Sequence, residues 1–278
     1  PRTSRYGCAS TGPNGSSRLS NLQRMPIKLE NVGIAVRDLE ATIAFFTDLG
    51  LTVVGRDTVS GEWTDTAVGL DGNASIDNSG SIDVSAYGAG GNATGIYVTL
   101  DYGTATIDSS GTISVYGYNN AYGMNVVVDG DGAVYITNDG AIDVTGYAGY
   151  GSGIYVAGNG SGDISVDSGG SIDVYGYNYA VGVHAYSNYA GSVDVTNGGD
   201  ITVVAQSGAA TGVFTSSADA DTTVDNSGTI TVTTYGAGGS IIGINAYGYT
   251  TADVTNSGNI TVDAQGAGSY ANGIMVIT

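Results

Sequence analysis

The chain has 278 residues, of which 47 are Gly and only 3 Pro, with 41% hydrophobic and 12% charged residues. There is no Gly-X-Y period, so collagen is excluded; the low charge argues against general disorder, and no apolar run approaches the ~18 residues of a membrane span. The net charge of −19, from 7 basic and 26 acidic residues, disfavours nucleic-acid binding, and the single Cys8 rules out an internal disulfide or a four-cysteine zinc site.

The charge is unevenly placed. All seven basic residues lie in the first 56 positions, whereas from Asn73 onward there is no Lys, Arg, Glu or Pro but 18 Asp and 19 of the 20 Tyr. This break predicts a domain boundary at about residue 72. Residues 1–24 are rich in Ser, Arg, Asn and Gly without hydrophobic periodicity, and are expected to be a disordered tail. Met25 fits a start codon with translated upstream sequence before it equally well. No charged-then-apolar signal peptide is visible.

Residues 25–72 predict a small α/β segment. Ile27 to Val36 reads as a strand and Asp38 as the N-cap of a helix. Leu39, Ile43, Phe46 and Leu49 form one helical face, Gly50 stops it, and Leu51 to Val54 reads as the next strand. A further strand is expected near Thr64 to Leu70. The run Asn31-Val32-Gly33-Ile34-Ala35-Val36-Arg37-Asp38-Leu39-Glu40, followed by Phe45-Phe46 and Leu49-Gly50, resembles the start of a vicinal-oxygen-chelate domain, the glyoxalase, bleomycin-resistance and extradiol-dioxygenase superfamily. The resemblance implies a metal site whose first ligand is often a His just before the Val-Gly pair. Asn31 stands there and is a much poorer ligand. Most of the remaining strands of such a module are missing, so a metalloenzyme is not expected from this chain, and no cofactor or metal ligand is assigned.

Residues 73–278 are seven copies of one unit. A polar cluster ends in Gly80, Gly111, Gly140, Gly170, Gly199, Gly228 and Gly258, and a second glycine recurs at Gly95, Gly123, Gly153, Gly182, Gly212, Gly243 and Gly273. Ile stands two residues after every first glycine and Val four after, and Ile or Val stands four before it; Ser, Thr, Asp and Tyr fill the gaps. Strict alternation of β-branched residues means strands with one buried face. Three short strands per unit, repeating about every 30 residues, predict a mainly β fold: a parallel β-helix solenoid of about seven coils, in which each residue stacks on its own copy. An antiparallel β-propeller is the alternative, with few residues for a four-stranded blade.

Several columns have chemical consequences. Asn78, Ser109, Asn138, Ser168, Asn197, Asn226 and Asn256 can hydrogen-bond from coil to coil. Tyr87, Tyr118, Tyr147, Tyr177 and Tyr235 share a column with Gln206 and Gln265. They predict an aromatic stripe along one edge, either simple column packing or a surface that binds sugars. Asp77 stacks with Asp108 and Asp143 with Asp173, so like charges about 5 Å apart repel by about 1 kcal/mol in water. Loosely bound calcium on this acidic face would relieve that repulsion. The only histidine, His184, shares a column with Tyr97, Asn125, Tyr155, Phe214, Asn245 and Met275 and is expected to face outward as a filler residue. With no second His, no Cys and no Lys in the repeats, no Ser-His-Asp or Cys-His constellation forms from them alone. The Asp residues follow the repeat, which points to structure rather than to glycoside hydrolysis.

The run Asn226-Ser227-Gly228-Thr229-Ile230-Thr231-Val232, followed by Gly243-Ile244-Asn245-Ala246, resembles the passenger repeats of bacterial autotransporters and haemagglutinin-like adhesins over about 205 residues. The resemblance implies a right-handed β-helix that is secreted or displayed on the outer-membrane surface and binds glycans or host or neighbouring cells. Such proteins add a signal peptide and a C-terminal barrel. The chain stops at Thr278 just past a strand without a polar cap, so a fragment that self-associates through its coil end is expected. The overall expectation is a non-enzymatic structural or adhesive β-helix. The alternatives are an enzyme of the chelate superfamily whose C-terminal part was replaced, and a chimeric chain without a function of its own.

Overall fold

A computed structural model describes residues 65–69 and 72–278. The chain divides into two units, Pro1–Thr58 and Val59–Thr278. The tail expected over 1–24, the strand–helix–strand over 27–54 and Asn31 all lie outside the described residues.

The repeats form a parallel β-helix of seven coils. Each coil contributes one strand to each of three sheets, beginning with Ala74–Asn78, Ser81–Ala86 and Ala93–Leu100 and ending with Ala252–Asn256, Ile260–Ala264 and Tyr270–Ile277. We call these sheets 1, 2 and 3 in the order the chain meets them. Sheets 1 and 2 have seven strands and sheet 3 has eight. The extra strand, Asp65–Gly69, pairs in parallel with Ala93–Leu100, so the strand expected near residues 64–70 lies in sheet 3, ahead of the compositional break.

The register places each residue on its repeat copy. In sheet 1, Ile164 partners Val134 and Val193, and Val166 partners Ile136 and Val195. In sheet 2, Ile172 partners Ile142 and Ile201. These side chains are almost wholly buried, as are Ile154, Val183 and Val213 of sheet 3. Each fully buried Ile or Val contributes about 1.5–3 kcal/mol of hydrophobic stabilisation. The ladders therefore hold the coils together along one continuous core. In the last strand of sheet 3 the same column stays in register with the coil before it, Ile274 on Ile244 and Val276 on Ala246.

Both glycine columns are steric requirements rather than turn conformations, save at Gly80 and Gly273, where a Cβ would meet nothing within 4 Å. A Cβ on Gly182 would lie 2.5 Å from Ile201 Cγ2 and 2.6 Å from the Gly212 carbonyl oxygen. Sheet 3 crosses the isoleucine ladder of sheet 2 too closely for a methyl group. In the other column, a Cβ on Gly170 would sit 1.8 Å from the Gly140 carbonyl oxygen. Left-handed backbone occurs elsewhere, as at Gly90 and Gly238 (φ 85 and 72°), in the longer corners after sheet 2.

The Asn/Ser column points inward and is buried through its middle. Asn197 Nδ2 donates to Asn226 Oδ1, and Asn226 Nδ2 to Asn256 Oδ1, both at 2.7 Å, while each amide also donates to the glycine carbonyl two residues on. Serine breaks the relay. Asn138 reaches Ser168 Oγ only at 3.4 Å, and Asn138 Oδ1 and Asn197 Oδ1 are left buried without partners. An amide at position 168 would donate to Asn197 Oδ1 in the geometry used one coil later. Ser168→Asn is therefore expected to stabilise the solenoid by about 1 kcal/mol, read as a raised denaturant midpoint at unchanged m-value. A lowered midpoint would mean that the serine is there for space rather than by default.

Candidate functional site

Two aromatic surfaces lie side by side on the solenoid. The first is the corner between sheets 2 and 3, where the predicted stripe falls. Tyr87, Tyr147, Tyr177 and Tyr235 are 73%, 53%, 44% and 48% exposed there, and Tyr118 is half-buried. The stripe is not a straight stack. Tyr118 and Tyr147 meet at 5.6 Å, but Tyr87 packs on Tyr116 at 5.0 Å, and Tyr116 leads on to Tyr147 at 6.4 Å. Tyr116 and Tyr175 rise from the outer face of sheet 2 and turn the line into a pavement.

Corner length decides which tyrosines join. Between the strands of sheets 2 and 3 the corners are short in the middle coils (118–120, 147–149, 177–178 and 206–208) and longer at 87–92, 235–239 and 265–269. The short corners bring Tyr147, Tyr175, Tyr177 and Gln206 around a groove of about 330 Å³, floored in part by Ala148. Tyr235 stands on a long corner, one coil beyond Gln206, outside this groove. The ring pairs on the first-coil side of the groove are tilted at 32–43°. The groove offers three phenol rings and one side-chain amide, a combination that suits a hydroxylated ligand.

The second surface is the outer face of sheet 3, which the sequence reading did not single out. Tyr150 stacks on Tyr179 (5.4 Å, 12°), and Tyr122 packs against Tyr150 and Tyr155. The row continues through His184, Tyr186, Phe214 and Tyr247. Around His184 the rings lock edge to face: Tyr155 meets His184 at 76°, and His184 meets Phe214 at 71°. The Tyr155 and Tyr186 hydroxyls share a hydrogen bond of 2.7 Å. Burial raises the Tyr150 and Tyr155 hydroxyls above the ordinary phenol range. The signal was present in tyrosines just before the second glycine (Tyr122, Tyr150, Tyr179) and in Tyr186 and Tyr247 after it, but no single column repeats them.

His184 faces away from the core as expected, yet it is wedged into this row rather than standing free. Its Nδ1 is buried without a hydrogen-bond partner. Burial among rings penalises the imidazolium and pushes its pKa down to about 4.

Among the described residues, no three His, Cys, Asp or Glu side chains gather as a metal site requires. The predicted acidic pairs are register partners, Asp77 with Asp108 and Asp143 with Asp173. Partial burial and the neighbouring Asp173 both raise the Asp143 carboxyl pKa. No helix among the described residues is long and apolar enough to cross a membrane. Comparison of the chain with known protein families, characterised proteins and solved structures finds no match.

The depressed His184 pKa sets a pH dependence. Between about 4 and its ordinary value of 6.5 the unfolded chain binds a proton that the folded chain refuses. This group's contribution is full above pH 6.5 and declines as pH falls towards 4, by roughly 3 kcal/mol at most. His184→Phe keeps a ring in the row and removes the titration. The variant is expected to gain stability over wild type as pH drops from 6.5 to 4, with the two differing little in slope above pH 7. A pH-independent difference, or an imidazole titrating near 6.5 by NMR, would contradict the burial argument.

Proposed function

We propose that this chain is a non-enzymatic structural and adhesive β-helix of a secreted or surface-displayed bacterial protein, and that it holds uncharged glycans on the tyrosine pavement. The observation that carries the reading is the groove of about 330 Å³ in which three phenol rings, Tyr147, Tyr175 and Tyr177, gather with the Gln206 amide from three successive coils. Charge selects the ligand class. The repeats contain 18 Asp and no Lys or Arg, so sialylated, sulfated or uronate chains meet repulsion while neutral ones do not. The resemblance of the repeats to autotransporter passengers supports display outside the cell. Binding of neutral and of sialylated oligosaccharides, measured on a glycan array and by calorimetry, tests the proposal. Neutral chains are expected to bind, Tyr147→Ala and Tyr177→Ala each to weaken them about ten-fold or more, and the remote, exposed Tyr189→Ala to leave them unchanged. Preference for sialylated chains, or binding indifferent to both groove variants, would sink it.

The acidic stacks have a second consequence. We propose that they attract divalent cations loosely, as a diffuse layer. Above the carboxylate range the folded state bears the repulsion between Asp143 and Asp173, which the unfolded chain escapes. Asp143→Asn is expected to raise the melting temperature at neutral pH. The gain should shrink in high salt, in millimolar calcium, and at pH values where the carboxyls protonate. A melting temperature unmoved by salt, calcium and the substitution alike would show that the stacked charges are already relaxed by solvent.

A further inference from the structure

The outer face of sheet 3 is the one uncharged face of an acidic solenoid. The seven strands from Ala93–Leu100 to Tyr270–Ile277 contain no Asp, Glu, Lys or Arg. Six of the seven strands of sheet 1 carry an outward Asp, and so do four of the seven of sheet 2. Such segregation does not follow from the repeat, which permits Asp at every outward position. It leaves a half-buried aromatic face where the charge is missing.

We propose that this face is a dimer interface, on which two copies of the chain pack sheet 3 against sheet 3 about a two-fold axis. Three observations favour a second copy over other occupants. The first is size. Strands of eight or nine residues span about 27 Å and seven coils about 30 Å, so the face covers on the order of 800 Å², the area each partner gives to a standard stable interface. The second is charge: two molecules of net charge −19 approach each other at least cost through the surface that carries none. The third is ring geometry. The edge-to-face packing of Tyr155, His184 and Phe214 half-buries each ring against the next, so none of the three stands free as a flat platform. That packing suits interdigitation with another protein surface and not stacking of a sugar.

The rims fix the direction of packing. After sheet 3 the chain turns through Asp101, Asp129, Asp131, Asp163, Asp219 and Asp221, whereas the corner before it carries tyrosine, asparagine and glutamine. Antiparallel coil axes would set acidic rim on acidic rim. Parallel axes lay the acidic rim of one copy over the tyrosine corner of the other, where hydroxyls and amides can donate to carboxylates, so the dimer and a glycan compete for that corner. The two copies therefore stack with their first coils at the same end.

Sedimentation velocity of the full chain over a concentration series tests this. The expected result is a particle of twice the chain mass. Phe214→Asp combined with Tyr247→Asp is expected to weaken association by roughly a hundred-fold or more, and Tyr97→Asp, far along the same face and outside the aromatic row, to weaken it independently. Circular dichroism melts of the variants show that the coils remain folded. Added salt should strengthen the wild-type dimer by screening the repulsion between acidic chains. A single-chain mass at every concentration overturns the proposal. So does a dimer that survives both face variants, one that Ile274→Asp at the coil end abolishes while the face variants do not, or one that salt dissociates.

Discussion

Everything in this solenoid depends on one constraint: each backbone hydrogen-bonds to its own copy one coil away, at a single register. Parallel pairing without slippage makes every position a column. A column multiplies whatever its residue does, for good or ill. Isoleucine and valine become continuous internal ladders, and asparagine becomes a relay of amides. Two positions become glycine because the neighbouring coil or sheet already occupies the space of a methyl group. Aspartate becomes a row of repelling charges. Selection on such a chain acts on columns before it acts on residues, and a one-residue slip would turn every inward side chain to solvent.

This explains how much was legible in the sequence. Columns of one residue type are visible as period-two alternation repeated about every 30 residues, so the sheets, the core and the Asn/Ser ladder could be read directly. The pavement could be read only in part. Tyr87 to Tyr235 were visible as a column, but what the rings touch depends on corner length, and three of the seven corners are longer than the rest. Tyr116 and Tyr175 join from a neighbouring column, a diagonal contact that no single column shows. The row on sheet 3 was hidden for a related reason. Its members alternate among Tyr, His, Phe and Asn, and they share shape and surroundings rather than identity. His184 was placed correctly on the outer side, but its burial arises from rings in the coils on either side, which the alternation of one strand cannot reveal.

The two aromatic surfaces differ in how far their rings are exposed. At the corner, the chain leaves the sheet, and Tyr87, Tyr147, Tyr177 and Tyr235 fan outward into solvent. On sheet 3, side chains stand on a regular lattice about 4.8 Å by 7 Å. On that lattice Tyr150 and Tyr179 stack while Tyr155, His184 and Phe214 pack edge to face, and the crowded rings exclude water from His184. The same residue type thus gives an accessible groove in one place and a closed, interlocked row a few residues later.

Charge follows the same logic. On an outward column of sheets 1 and 2, an aspartate keeps its water and salt screens it from the coil above, which leaves only a residual repulsion where two stack. On sheet 3 the neighbours are aromatic, and a carboxylate there would be desolvated by the rings that desolvate His184. The segregation of charge is therefore self-reinforcing: once aromatic residues occupy one face, acidic residues are confined to the other two and to the turns. The face left neutral is the long-stranded one, with the greatest area and the most closely packed outer side chains. The features that make it hostile to charge, ring density and exclusion of water, are those that make contact with a second uncharged surface favourable.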